Sequence, residues 1–157
     1  MRNLILAAAA SALALAAGAA SAQDYDGDPN YGELSLSAGF TPDPALLSLL
    51  AGGGISASDR FDGCTGYITA TPDVRLFWDG SSKGALNLKF SALSNADTTL
   101  IVNGPDGRWY CDDDSGEDSN PLVELTPMPG RYEIWVGTYS DGETKRAVLS
   151  ISEVSSF

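Results

Sequence analysis

Residues 131–136 read Arg-Tyr-Glu-Ile-Trp-Val, and this stretch carries the pattern that decides the fold. Tyr132, Ile134 and Val136 alternate with two charged residues and a tryptophan. Because successive side chains of a strand point to opposite faces of a sheet, such alternation predicts a β-strand with one buried face. The same period of two recurs at residues 34–40, 86–91 and 147–152.

Turn sequences separate these stretches at short intervals, among them Asp79-Gly80, Pro129-Gly130 and Asp141-Gly142. Proline presets φ and glycine tolerates positive φ, so such pairs end strands. About eight short strands without a convincing helix predict an all-β fold, an antiparallel β-sandwich. Residues 45–51 (ALLSLLA) are ambiguous, because their composition suits a helix while their short length between turns equally suits a buried strand.

The first 22 residues have the features of a secretory signal peptide. Arg2 supplies the positive start, residues 4–17 are apolar, and Ala20-Ser21-Ala22 is a cleavage site of small residues. We therefore expect a secreted or periplasmic protein with no stable membrane insertion after cleavage. Residues 23–32 are predicted to be a flexible acidic lead-in, and residues 33–157 a single sandwich domain.

The chain is acidic, with 21 Asp and Glu residues, 9 Lys and Arg residues and a formal net charge of −12 at pH 7. Binding to nucleic acid requires a basic face that displaces counterions from phosphates, so no nucleic-acid partner is expected. An anionic membrane surface would repel the chain for the same reason. The excess of carboxylates favours cation binding.

Two cysteines, Cys64 and Cys111, are present. In an exported protein a single pair predicts one disulfide. The alternative, a metal site that uses both thiols, lacks histidine ligands and a C-x-x-C spacing.

The chain contains no histidine. Ser-His-Asp and Cys-His catalysis need an imidazole to take and return a proton, and zinc hydrolysis usually needs imidazole ligands. A Ser-Lys dyad would have to use Lys83, Lys89 or Lys145, which the pattern places on a wet face or beside loops, where the pKa of a lysine is not lowered. The sequence therefore predicts a protein without enzymatic activity.

The segment Cys111-Asp112-Asp113-Asp114-Ser115-Gly116 is a candidate cation site. Calcium takes six to eight oxygen ligands, and a run of carboxylates that repel one another can share such a cation. The predicted ligands are Asp97, Asp112, Asp113, Asp114 and Asn120. The alternative interpretation is a solvated acidic loop in which Asp side chains cap backbone amides of turns.

Four aromatic residues lie close together along the chain: Trp109, Tyr110, Trp135 and Tyr139. Trp135 has the opposite parity to Ile134 and Val136, so the cluster is a candidate recognition surface. The general burial of large aromatic side chains favours the alternative, in which they form a second layer of the core or cover its edge.

At this point the chain resembles the bacterial pre-peptidase C-terminal domain. The resemblance is sharp between residues 95 and 140 and looser over residues 33–92. It is carried by NADTTLIV at 95–102, GPDG at 104–107, the acidic loop after Cys111, Asn120-Pro121, and PGRYEIWVG at 129–137. Short exported proteins that consist of this domain alone are often labelled serine peptidases of the chymotrypsin clan.

The resemblance implies a jelly-roll-like β-sandwich that is non-catalytic and associated with targeting, secretion or adhesion to substrate. It also implies that Asp97, Asp112 and Asp114 are positions for calcium. The missing histidine argues against the peptidase label.

Three hypotheses follow: an accessory module that binds an unknown protein or polysaccharide, stabilised by calcium; a secreted hydrolase; and an envelope structural protein that self-associates through edge strands and Trp135.

Overall fold

The structure is a computed structural model that describes residues 23–80 and 86–157. The predicted signal peptide and Lys83 lie outside the described residues. Within them the chain forms eleven strands and one short 3₁₀ helix, Glu117–Ser119. The expected all-β sandwich is confirmed, with more strands than the eight counted from sequence because several have only two to four residues.

Two sheets pack face to face. The first has seven strands: β1 (Glu33–Ser37), β3 (Ile55–Ser56), β4 (Tyr67–Ile68), β5 (Val74–Asp79), β7 (Thr98–Asn103), β8 (Trp109–Asp112) and β10 (Gly130–Thr138). The second has four, in the spatial order β2 (Ala45–Ala51), β11 (Lys145–Ser152), β6 (Leu88–Ser94) and β9 (Leu122–Leu125). We call these the seven-stranded and four-stranded sheets.

Strand β10, which contains residues 131–136, is the centre of the seven-stranded sheet. It pairs with β5 and β4 along one side and with β7 along the other. Its residues Tyr132, Ile134 and Val136 are buried in the core between the sheets, as the alternation predicts. One pairing departs from the expected antiparallel arrangement, because β1 lies parallel to β5.

The ambiguous segment ALLSLLA is strand β2, which pairs in antiparallel register with β11 from Ala45 to Ala51. Leu49 and Ala51 are buried in the core, whereas Leu46, Ser48 and Leu50 are exposed. Pairing with β11 therefore overrides the helix-forming composition of this segment, since burial of alternate residues satisfies a strand and not a helix.

The predicted disulfide between Cys64 and Cys111 is confirmed, with a Cα–Cα distance of 5.2 Å. Cys111 lies on β8, and Cys64 lies in the loop between β3 and β4. The bond therefore ties this loop to the outer face of the seven-stranded sheet.

Residues 23–32, expected to be a flexible lead-in, are hydrogen-bonded to the sandwich. The Gln23 side chain donates to the carbonyls of Thr69 and Ala70. Asn30 N donates to the Pro72 carbonyl, 2.9 Å away. Hydrogen bonds from backbone groups and polar side chains do not require apolar residues, so the composition of this segment gave no sign of the attachment.

Candidate functional site

Asp112, one of the predicted calcium ligands, has both carboxylate oxygens engaged by the protein itself. Its Oδ1 accepts a hydrogen bond from Ser115 Oγ at 2.6 Å, and its Oδ2 accepts from Ser115 N at 2.9 Å and Leu122 N at 2.8 Å. The side chain therefore closes the acidic turn and joins it to the start of β9, the capping role that sequence analysis offered as the alternative.

Asn120, a second predicted ligand, is buried and has a similar structural role. Its Nδ2 donates to the Glu117 carbonyl at 2.7 Å, and its Oδ1 accepts from Ser94 N at 3.3 Å. These bonds anchor the acidic loop to the end of β6.

The other three predicted ligands, Asp97, Asp113 and Asp114, lie close enough to affect one another electrostatically. Burial raises the pKa of Asp113, and the charges of Asp114, Asp112 and Asp97 raise it further. Burial and the charge of Asp114 likewise raise the pKa of Asp97. The pKa values of Asp97 and Asp113 are thus raised by neighbouring carboxylates as well as by burial.

Among residues 23–80 and 86–157, no group of three or more Asp, Glu, His or Cys side chains is arranged to hold a metal ion. The polar atoms of Asp112 and Asn120 are instead hydrogen-bonded to amides and a carbonyl of the protein.

The predicted aromatic recognition surface requires a correction, because Trp135 is fully buried (0% exposed). It belongs to a second, smaller apolar cluster on the outer face of the seven-stranded sheet, with Ile68, Ile101, Ala57 and Cys64. The ring of Trp109 lies 5.5 Å from that of Trp135, and Phe61 stacks on Trp109 at 3.7 Å between ring centroids. The loop that the disulfide holds therefore covers this face.

The remaining two predicted aromatics do not join this cluster. Tyr110 lies on the opposite face of β8, packs against the main core and donates its hydroxyl to Asp106. Tyr139 is half exposed and stands alone at the end of β10. Sequence parity correctly set Trp135 apart from its neighbours, but could not reveal the loop that covers it.

A buried ion-pair network, missed by sequence analysis, attaches the N-terminal segment. Arg75 Nε lies 2.6 Å from Glu133 Oε1, and Arg75 also donates to Glu33 and to the carbonyls of Tyr25 and Gly27. Burial raises the pKa of Glu133, against the lowering effect of Arg75 and Arg131. The only sign of it in the sequence was Arg75, a single arginine inside the apolar strand Val74–Asp79. A buried arginine needs an acidic or polar partner.

Asp73 is a second buried acid, 1% exposed, at the start of β5. Its Oδ2 accepts a hydrogen bond from Val136 N at 2.8 Å, and its Oδ1 accepts from Asn30 Nδ2 at 3.0 Å. Burial raises the pKa of Asp73 to about 6, although these hydrogen bonds lower it. Its partners are structural, so the carboxyl holds β5, β10 and the N-terminal segment together.

The outer face of the four-stranded sheet carries a shallow groove of about 650 Å³. Leu50 of β2, Val148 of β11 and Leu93 of β6 line it, with Tyr31 and Arg146. Leu50 is 47% exposed and Leu93 44%, and Leu46 beside them on the same face is 56% exposed. Arg146 is exposed and forms no ion pair with any described residue. We call this surface the leucine groove.

Solved structures to which this chain is similar include the following two. The first is the pre-peptidase C-terminal domain of a collagenase from Bacillus anthracis, 14% identical, covering 76% of this chain and 94% of that one with a TM-score of 0.45. This is the family that the sequence motifs resemble. The second is a periplasmic inhibitor of g-type lysozyme from Aeromonas hydrophila, 14% identical, covering 77% and 97% with a TM-score of 0.40. No family model matches the sequence, and no curated protein matches it.

The described part of the chain contains no helix of the length and apolarity that a membrane crossing needs. Sequence analysis did not find the leucine groove, because the same alternation that identified a strand could not say which alternate residues would be covered. The sequence ALLSLLA did contain a sign of the groove. As a strand, it places leucines on both faces of the sheet, so some of them must lie on the outer face.

Proposed function

We propose that this protein is an exported, non-catalytic β-sandwich module that binds another protein through the leucine groove. The observation that carries the proposal is the row of exposed leucines beside Arg146 on one sheet face. Exposed apolar side chains rimmed by polar groups are typical of protein interaction sites.

The ionisable groups with shifted pKa values support a non-catalytic role. Perturbed carboxyl groups often mark active sites when they face a cleft. Here Asp73 and Glu133 are instead buried among backbone amides and arginines that they hold in place. Lys145, one of the lysines considered for a Ser-Lys dyad, lies 3.4 Å from the carboxylate of Glu143 at the surface.

A protein partner fits the groove better than a polysaccharide. Leucine and valine side chains offer no hydrogen bonds to sugar hydroxyls, whereas they bury the apolar side chains of a peptide. Arg146 adds a guanidinium that can bind a carboxylate in a bidentate manner. The proposed ligand is therefore a peptide segment with apolar and acidic side chains.

Export is supported by two features of the chain. The N-terminal sequence has the order of a secretory signal, and disulfides such as Cys64–Cys111 persist in oxidising compartments. The proposed location is the periplasm or the extracellular medium.

The test is an NMR titration of the exported chain with two short peptides of the same leucine content, one acidic and one basic. The acidic peptide should shift the amide signals of Leu50, Leu93 and Val148, and Arg146→Glu should reverse the preference towards the basic peptide. Absence of shifts for both peptides contradicts groove binding. Hydrolysis of a general protein substrate by homogeneous material contradicts the non-catalytic role and favours the hydrolase hypothesis.

For calcium, we propose binding through Asp97, Asp113 and Asp114, whose side chains would have to close around the ion because the described residues contain no preformed group of three such ligands. A divalent cation near these three carboxylates would relieve the repulsion that raises the pKa of Asp97 and Asp113. Thermal unfolding should be measured with calcium, with chelator and with sodium at matched ionic strength. Saturation at a hundred times the dissociation constant adds about 2.7 kcal/mol. A midpoint equal in all three solutions would remove calcium from the proposal.

A further inference from the structure

Strand β2 is an edge of the four-stranded sheet. Within residues 23–80 and 86–157 it pairs only with β11. The Leu50 amide donates to the hydroxyl of Tyr31 at 2.9 Å and not to β11. Because backbone groups of alternate residues point to the same side of a strand, Leu46 and Ser48 also direct their N–H and C=O groups away from β11. The edge thus presents backbone groups to a further strand.

The sequence of this edge is a palindrome. Ala-Leu-Leu-Ser-Leu-Leu-Ala reads the same in both directions about Ser48. In an antiparallel pair with a twofold axis at Ser48, each residue faces its own kind in the partner: Leu46 opposite Leu50, and Ser48 opposite Ser48. Such self-complementarity is the requirement of an isologous dimer interface.

We propose that a second copy of this chain pairs antiparallel with β2 about Ser48, joining two four-stranded sheets into one of eight strands. Leu46 and Leu50 of each copy then lie next to the partner's leucines on the outer face. Cross-strand apolar pairs of this kind stabilise sheets, and the pairing covers an exposed edge that would otherwise template aggregation.

The charged groups near the two ends of β2 belong to β11 or face it. At the Ala51 end, Lys145 and Arg146 of β11 lie in register with Ala51 and Leu50. At the Ala45 end, Asp43 accepts hydrogen bonds from Ser152 Oγ and Glu153 N. These groups lie on β11 or are bonded to its end, one strand behind the free edge, so none of them lies on the paired edge itself. Strand β2 itself carries no charge, in a chain whose net charge is −12.

The size of the contact predicts a weak dimer. Seven residues at roughly 3.4 Å each span about 24 Å, so one added strand buries an interface at the low end of specific complexes, below about 1,200 Å². The hydrogen bond from Leu50 N to the Tyr31 hydroxyl must also break before Leu50 can pair with the partner strand. We therefore expect association that depends on protein concentration.

The first test measures self-association by sedimentation of the exported chain over a range of concentrations. Leu46→Lys should raise the dimer dissociation constant at least tenfold, because it places like charges at the paired edge. Leu93→Lys is the matched control, since it is on the same face with similar exposure but two strands from the edge. An equal effect of the two substitutions would show that the sheets pack face to face and would overturn the edge pairing.

The second test uses the position of the twofold axis. Opposed residues that exchange hydrogen bonds have Cα atoms about 5.5 Å apart, within the range of a disulfide. Mild oxidation should cross-link Ser48→Cys into a covalent dimer, whereas Leu93→Cys should not cross-link. The inference is overturned if the wild type is monomeric at every concentration, or if the two cysteine variants cross-link alike. Leu50 lies both in the leucine groove and on this edge, whereas Leu46 lies only on the edge. Leu46→Lys therefore tests the edge pairing, and peptide-induced shifts of Leu93 and Val148 test the proposed function separately.

Discussion

The two sheets of this sandwich treat their outer faces differently. The seven-stranded sheet covers its outer face with the loop that contains Ala57, Phe61 and Cys64, which packs over Trp135. The four-stranded sheet leaves Leu46, Leu50 and Leu93 exposed. Both faces carry large apolar side chains, so apolar composition alone does not distinguish a second core from an interaction surface; an intramolecular cover does.

The comparison separates stability from binding. Residues of the covered face contribute buried area and contacts to folding, whereas exposed leucines contribute little until a partner arrives. Substitutions on the first face should therefore change the free energy of unfolding. Substitutions on the second should change association and leave that free energy nearly constant.

The largest effect is expected for Trp135→Ala. Removing a fully buried indole costs about 3–5 kcal/mol, through lost burial and the cavity that it leaves beneath Trp109. Urea unfolding followed by circular dichroism measures it. Leu93→Ala is the matched substitution on the uncovered face and should stay within about 0.5 kcal/mol. Similar losses in the two variants would contradict the distinction between the faces.

The next effect concerns the bond that holds the cover. The double variant Cys64→Ala, Cys111→Ala should lose about 4 kcal/mol on the chain-entropy model, since the cysteines are 47 residues apart. Without the bond the loop covers Trp135 less firmly, so Trp135→Ala should then cost less than it does in the wild type. A thermodynamic cycle of these variants measures that coupling. Strict additivity would mean that the disulfide and the indole stabilise the protein independently.

Alternation predicted the strands of both sheets because a half-buried strand imposes a period of two on its own sequence. Residues 131–136 and 147–152 kept that period and became β10 and β11. The disulfide was predictable because an exported chain with two cysteines has one pairing. Such features are local or combinatorial, so the sequence contains them directly.

The candidate site was less predictable, because its residues are defined by contacts between distant segments. Asp112 was identified as a ligand from its neighbours Asp113 and Asp114, yet its carboxylate bonds Leu122 N across ten residues. Asp73 and Asn30 meet across 43 residues. No local pattern encodes such contacts. The acidic run therefore suggested cation binding, whereas Asp112 also accepts hydrogen bonds that hold the turn.

The smallest expected effect is a pH dependence of the free energy of unfolding that arises in the seven-stranded sheet. The buried acids Asp73 and Glu133 belong to the seven-stranded sheet and its junction with the N-terminal segment. Burial raises the pKa of Asp73 from 3.8 to about 6, so the folded state binds this proton more tightly than the unfolded chain. The resulting stabilisation is fully present below pH 3.8 and is lost as the pH rises through about 6. At one pKa unit per 1.36 kcal/mol the total is roughly 3 kcal/mol.

Asp73→Asn tests this assignment. The amide does not titrate, so the decline in the free energy of unfolding between pH 4 and pH 6 should flatten, while the raised pKa values of Glu133, Asp97 and Asp113 leave a smaller slope of the same sign. Urea unfolding of both proteins across this range measures the difference. Leu93→Lys on the uncovered face should keep the wild-type slope. An unchanged slope in Asp73→Asn would remove the pH dependence from Asp73 and assign it to the other carboxyl groups with raised pKa values, Glu133, Asp97 and Asp113.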